Sequence, residues 1–190
     1  MNTKRNSKEK LIHAMAELLL EKGLANTSPN DILTRAEVGQ GSLYHYFHGK
    51  EDLSLAAIKY NVEQLINFNT LVLNSDKNAY DKLSDLLLKS RNIDRGCLVG
   101  QLARDRSIME NKSLAAEVTY GFESIKQTFE SIIKAGISEG SISNTLAPLE
   151  AVTLIISTLQ GAYIIAKGLQ DNSYFHLTIN TLLKLFTPQQ

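Results

Sequence analysis

From Gly39 to Leu53 the chain reads GQGSLYHYFHGKEDL, a run that crowds small residues, two tyrosines, a phenylalanine and two histidines ahead of its first cation. Gln40 can meet adenine through a paired donor and acceptor, and Ser42 can bond a phosphate or a base edge. Tyr44, His45 and Tyr46 carry donors on rigid rings, suited to phosphate oxygens and thymine methyl groups. Gly41 has no side chain, so the backbone there can come close to a duplex. Leu43 and Phe47, four residues apart, share one helical face and read as core. Tyr44 and His45 then point elsewhere, to the surface. Lys50 opens the next helix, where its charge and the N–H groups of a first turn together attract phosphate. Lys4, Arg5 and Lys8 in the arm ahead add non-specific attraction to a polyanion.

Such side chains work only if two short helices hold them at an angle. Ser28 and Pro29 form an N-cap and first-turn pair for a helix with Ile32, Leu33 and Ala36 inward, and Ser28 is itself included among the candidate DNA contacts. A tight turn, Glu37-Val38-Gly39, leads into the helix that carries Gln40 and Tyr44. This is helix-turn-helix spacing, in which the second helix enters the major groove by its N-terminal end. Leu11, Met15, Leu18 and Leu19 give the face of a preceding helix that Gly23 can end in a left-handed conformation.

Apolar residues recur at helical spacing along the remaining chain, and no stretch alternates as a half-buried strand would. Lys50 to about Leu73 reads as one long helix, and a polar break at Asn74-Ser75-Asp76 precedes a helix around Leu83, Leu86 and Leu87. Leu114, Val118, Phe122, Ile125, Phe129, Ile132 and Gly136 stripe one long amphipathic helix. Pro148 starts an apolar helix over 149–169, and Phe175, Ile179, Leu182 and Phe186 stripe the last one. The expectation is an all-α fold of about nine helices, with a DNA-binding domain over 1–50 and a helical effector-binding and dimerisation domain over 51–190.

The bulk figures narrow the function classes. A chain of 190 residues, 43% of them apolar and 21% charged, is ordinary for a soluble globular protein. Its single cysteine excludes an intrachain disulfide framework and suits a reducing cytoplasm. The N-terminus lacks the apolar run of a signal peptide. Glu150, Gln160 and Lys167 make 149–169 a buried helix rather than a membrane span. Formal charge is zero overall, yet residues 1–50 carry a net +2 and the remainder a net −2. Three of the four histidines, His13, His45 and His48, fall in the candidate DNA-reading segment, leaving His176. There is no glycine-rich phosphate loop after a strand, no nucleophile elbow and no paired metal-ligand spacing. Neither a cofactor nor a metal is expected, and no enzyme activity.

The segment from about Leu11 to Leu53 resembles the DNA-binding domain of the TetR/AcrR family of transcriptional repressors. Gly39, Gly41, Leu43-Tyr44, Phe47 and Lys50 carry the pattern, with Gly23, Thr27 and Ala36 upstream. Glu37 stands where that family usually has glycine, Gly39 replaces its usual serine cap, and Gln40 replaces a frequent lysine. The resemblance implies that Ser42, Tyr44, His45, Tyr46 and Lys50 contact a double-stranded operator. It also implies a homodimer that pairs through its last two helices and holds a small-molecule inducer. Leu159, Tyr163, Ile179, Leu182 and Phe186 are the expected centre of the dimer interface. Cys97, Gln101, Phe122, Phe129, Gln160 and Tyr163 are the candidates for the effector cavity. The segment RGCLVGQLARD, 95–105, is similar to a Gly-Cys-Leu segment in the branch that includes the N-ethylmaleimide reductase repressor, where a cysteine can sense electrophiles. That similarity extends to Gly161-Ala162 and Ala166-Lys167, which makes Lys167 a candidate partner of Cys97. Two other readings stand beside this one: a helical adaptor that binds only protein, and an enzyme with Cys97 as nucleophile.

Overall fold

A computed structural model describes residues 6–88 and 93–188, and every regular element in them is helical. Ten α-helices follow in order: α1 Ser7–Lys22, α2 Pro29–Ala36, α3 Gln40–Tyr46, α4 Lys50–Leu73, α5 Ala79–Leu88, α6 Leu98–Arg104, α7 Arg106–Met109, α8 Lys112–Glu139, α9 Pro148–Leu169 and α10 Ser173–Leu185, with a 3₁₀ turn at Ile93–Arg95. The short α7, separated from α6 by Asp105, has no apolar periodicity of its own to announce it.

The chain forms two compact units, Met1–Leu65 with Leu98–Gly121, and Ile66–Cys97 with Phe122–Gln190. In the first, Leu11, Met15, Ile32, Leu43, Leu53, Ile58, Leu102 and Ile108 are all but fully buried. α1 packs on α2, α3 and α6. Buried Asn61 of α4 donates from Nδ2 to the Ala16 carbonyl of α1 at 3.3 Å, and the His13 ring meets Tyr60 edge-on at 4.4 Å. These contacts seat the two short helices on long ones, which matters because helices of seven or eight residues are not stable in water alone.

In the second unit α9 packs on α10 and on the 3₁₀ turn, and α10 packs on α5. Ala151, Val152, Ile155, Leu159, Ala162, Tyr163 and Ala166 make the buried face of α9. That helix is long and apolar enough to cross a membrane by length and composition, and this buried face covers 39% of its most apolar window. Gly136 on α8 is a place where only glycine fits, since a Cβ there would lie 2.5 Å from the Ile142 side chain.

Candidate nucleic-acid interface

α2 is built at its start as the sequence requires. Ser28 accepts the Asp31 N–H at 3.2 Å while the Asp31 carboxylate accepts the Ser28 N–H at 2.7 Å, a reciprocal cap. The Lys22 ammonium, 2.8 Å away, and the Ser28 hydroxyl hold the Asp31 carboxyl well below its ordinary range. α2 then ends at Glu37, a non-glycine residue in the left-handed region at φ 53°, ψ 48°. The Val38 N–H returns to the Leu33 carbonyl at 3.2 Å, the closing bond of a Schellman-type end. Glu37 thus adopts the conformation that a glycine would take without strain.

α3 starts at Gly39, which caps without a side-chain hydrogen bond. Leu43 is 1% exposed and Phe47, just past the helix, 6%; each such apolar side chain stabilises the seating of α3 by about 1.5–3 kcal/mol. With that ridge inward, Gln40, Gly41, Tyr44, His45 and Tyr46 are exposed and Ser42 is half-buried. Gln40 with Tyr44, and Gly41 with His45, lie four residues apart and so share the outer face. Tyr44 is 61% exposed, a large value for an aromatic ring. The His45 and Tyr46 rings meet edge-on at 4.6 Å, which limits the directions their donors take. Lys8 Nζ lies 6.0 Å from the centre of the Phe47 ring. Lys4 and Arg5 lie outside the described residues.

Lys50 differs from its expected surroundings. Its ammonium group donates to the Leu24 and Thr27 carbonyls, each at 2.8 Å, so two of its three hydrogens are directed inward. Asp52 takes the His48 N–H at 3.0 Å at the same helix start. Arg35, passed over in the sequence, has a comparable place. Its guanidinium holds both Glu21 oxygens, at 3.0 and 2.8 Å, and Glu17 at 3.1 Å, and these carboxylates raise its pKa further. The four-residue spacing of Glu17 and Glu21 on α1 was the available signal.

The effector candidates are spread over both units. Gln101 is half-buried on α6 in the first unit, and the other six belong to the second. Cys97 is half-buried and directly precedes α6. The 3₁₀ turn just before it packs on α9, the helix of Gln160, Tyr163 and Lys167. Phe129 is buried and Phe122 half-buried. Tyr163 is buried with its ring 4.8 Å from Phe175, while Lys167 is exposed. The Gln160 amide nitrogen is buried with no hydrogen-bond partner among the described residues, a condition that costs about 1–3 kcal/mol.

The interface expectation needs a correction. Leu159, Tyr163, Ile179, Leu182 and Phe186 are between 0% and 5% exposed within a single chain, so they have almost no surface left to bury against a partner. α9 and α10 pack on each other, with Tyr163 against Phe175. The apolar residues these helices leave exposed are Leu149, Ile164, Ile165, Leu169, Tyr174, Leu177 and Leu185. Leu177 and Leu185 line a groove with Leu154, Thr158, Thr178, Thr181 and Leu182, the last of these an expected interface residue.

Comparison with known proteins agrees with this geometry. Residues 11–57 match the family model described as bacterial regulatory proteins, tetR family, and residues 79–182 match the tetracyclin repressor-like C-terminal domain. An HTH-type transcriptional regulator from the lacX 3′ region of Lactococcus lactis is 29% identical over 177 residues, covering 88% of this chain and 86% of that one. The reduced form of Escherichia coli NemR superposes with a TM-score of 0.86 at 21% identity, covering 97% of this chain and all of its own. Bacillus subtilis FadR in complex with stearoyl-CoA gives 0.66 at 23% identity, over 93% and 96% of the two chains. With a reading helix that turns its polar aromatic face outward and both halves matched by family models, the chain belongs to the TetR family of bacterial transcriptional regulators.

Proposed function

We propose that the protein is a homodimeric repressor of the bacterial cytoplasm that leaves a palindromic operator when an effector occupies its C-terminal helices. Residues 1–50 read DNA, and 51–190 pair the subunits and take the effector. One observation carries the reading: Gln40, Tyr44 and His45 are exposed on one side of α3 while Leu43 and Phe47 anchor the other. Gln40, Gly41, Ser42, Tyr44, His45 and Tyr46 meet the major groove and its phosphates. Lys50 and Ser28 act mainly by fixing the module, with one Lys50 hydrogen left for a phosphate. Pairing uses the outer faces of α9 and α10 around Leu177 and Leu185, since twofold symmetry of the protein then matches that of the site. A duplex recovered by selection from sheared genomic DNA should bind with a log–log salt slope of several units. A chain that selects no duplex refutes the reading.

The effector is small, neutral and partly apolar, with an acceptor group suited to the Gln160 amide nitrogen. Its release of DNA requires that it favour the non-binding state. A second mode rests on Cys97, a free, half-buried thiol directly ahead of α6. Lys167 is its candidate partner. Cys97→Ser should keep operator binding and lose release by quinones or aldehydes. Equal release of the serine variant and the parent would remove this mode and leave the rest intact.

A further inference from the structure

The connector between α1 and α2, residues 23–28, is short, yet it decides how the reading module sits on α1. Gly23 leaves α1 at φ 79°, ψ 171°, a region essentially confined to glycine. Both backbone polar groups of Leu24 are then held. Its N–H donates to Asp105 Oδ2 at 2.6 Å, and its carbonyl accepts from Lys50 Nζ at 2.8 Å. A Cβ on residue 23 would stand 2.8 Å from the same Asp105 oxygen, so the contact requires the glycine on this ground too. Thr27, 1% exposed, completes the connector by donating from Oγ1 to the Gly23 carbonyl at 2.7 Å.

Asp105 comes from far along the chain. Its other oxygen, Oδ1, accepts the Ser107 N–H at 2.9 Å and, more weakly, the Ile108 N–H at 3.4 Å, capping α7. One carboxylate therefore joins the α6–α7 corner to the first residue after Gly23, while α6 itself packs on α1. All these groups lie in one compact unit. α6 begins at Leu98, directly after Cys97, and ends next to Asp105.

We propose that Asp105 is a positioning residue for DNA binding, a latch that holds the α1–α2 connector and through it the angle of α2 and α3. The segment that starts at the candidate sensing cysteine ends at this latch, so a shift of α6 reaches the α1–α2 connector through the Asp105–Leu24 hydrogen bond as well as through the packing of α6 on α1. The operator arm of the test rests on the DNA-binding reading; the exchange arm does not.

Asp105→Asn in the full chain separates the latch from the cap. The one amide oxygen settles on the side with two donors, Ser107 and Ile108, and the NH₂ group then faces the Leu24 N–H. Amide hydrogen exchange without DNA should rise about tenfold or more at Leu24 and across 25–47, in keeping with loss of a bond to a charged acceptor, with α9 and α10 unchanged. Affinity for a duplex selected by the parent from random-sequence DNA should fall about tenfold for the same reason, at unchanged helical content and solution mass. Faster exchange with affinity within about twofold of the parent, or no change across 25–47, overturns the proposal. The parent alone supplies a check if the variant folds poorly: its Leu24 amide must exchange as slowly as amides inside α2, and exchange at an unstructured rate also overturns the latch. A parent that selects no duplex refutes the DNA-binding reading, and the exchange result then still decides whether Asp105 orders residues 25–47.

Discussion

Lys50→Met removes an ammonium group and keeps most of the apolar stem. In the structure that group donates to the Leu24 and Thr27 carbonyls at 2.8 Å each, next to side chains that are 8% and 1% exposed. A hydrogen bond to a charged partner contributes about 1.5–3 kcal/mol. Lys50 is itself half-buried and the Leu24 carbonyl also accepts the Thr27 N–H at 3.3 Å, so solvent and that second donor offset part of the loss. The expected destabilisation is about 2 kcal/mol for the pair of bonds. Urea denaturation of parent and variant measures it directly. Operator titration at several salt concentrations supplies the complementary figure: a lysine spent chiefly on a phosphate would reduce the slope of log K against log salt by about 0.9. The reasoning predicts the full stability loss with less than about half that change in slope. A loss under about 0.5 kcal/mol together with the full change in slope would show that Lys50 is a phosphate contact and that the connector is held by other means.

Glu37→Gly should stabilise the protein by about 0.5–1 kcal/mol, because glycine takes the left-handed region at φ 53° without strain; denaturation that shows a loss would contradict the turn geometry. Leu177→Glu, at a residue 62% exposed on α10, should give a folded monomer in sedimentation and abolish tight operator binding, since a charge buried at a subunit interface is unpaired; an unchanged dimer would place the interface elsewhere. Glu139 accepts the Ala79 N–H at 2.6 Å and a bond from Ser141, the latter being the larger cause that holds its pKa below the ordinary 4.5. Its contribution to stability is therefore complete above pH 4.5 and is lost as pH falls through the lower folded value. Glu139→Gln should flatten that part of the acid limb, and stability-against-pH curves of variant and parent that run parallel would count against it.

Spacing alone separated Leu43 and Phe47 from Tyr44 and His45, because on a short helix a four-residue interval fixes a common side. Ser28 followed by Pro29 announced its cap for a similarly local reason. The ends of α4 and the stripe of α8 were legible on the same terms. The contacts that hold the module were not. Leu24, Lys50 and Asp105 are far apart in sequence, and nothing in their spacing records that both backbone groups of Leu24 are held by the other two. Lys50 consequently read as a phosphate ligand from its place at a helix start. The residues named for the centre of the subunit face were hard to choose for a different reason. α9 is apolar on most sides, and hydrophobicity does not say whether a leucine meets α10 of its own chain or a second copy. Leu159 and Ile179 are buried within the single chain.

The cations of the N-terminal module also bear on how such a protein finds its site. Lys22 is engaged by Asp31, Arg35 by Glu17 and Glu21, and Lys50 by two carbonyls. Lys22 and Arg35 are therefore spent inside the fold, and the exposed Lys8 with the third hydrogen of Lys50 is what this module offers to phosphates of any sequence.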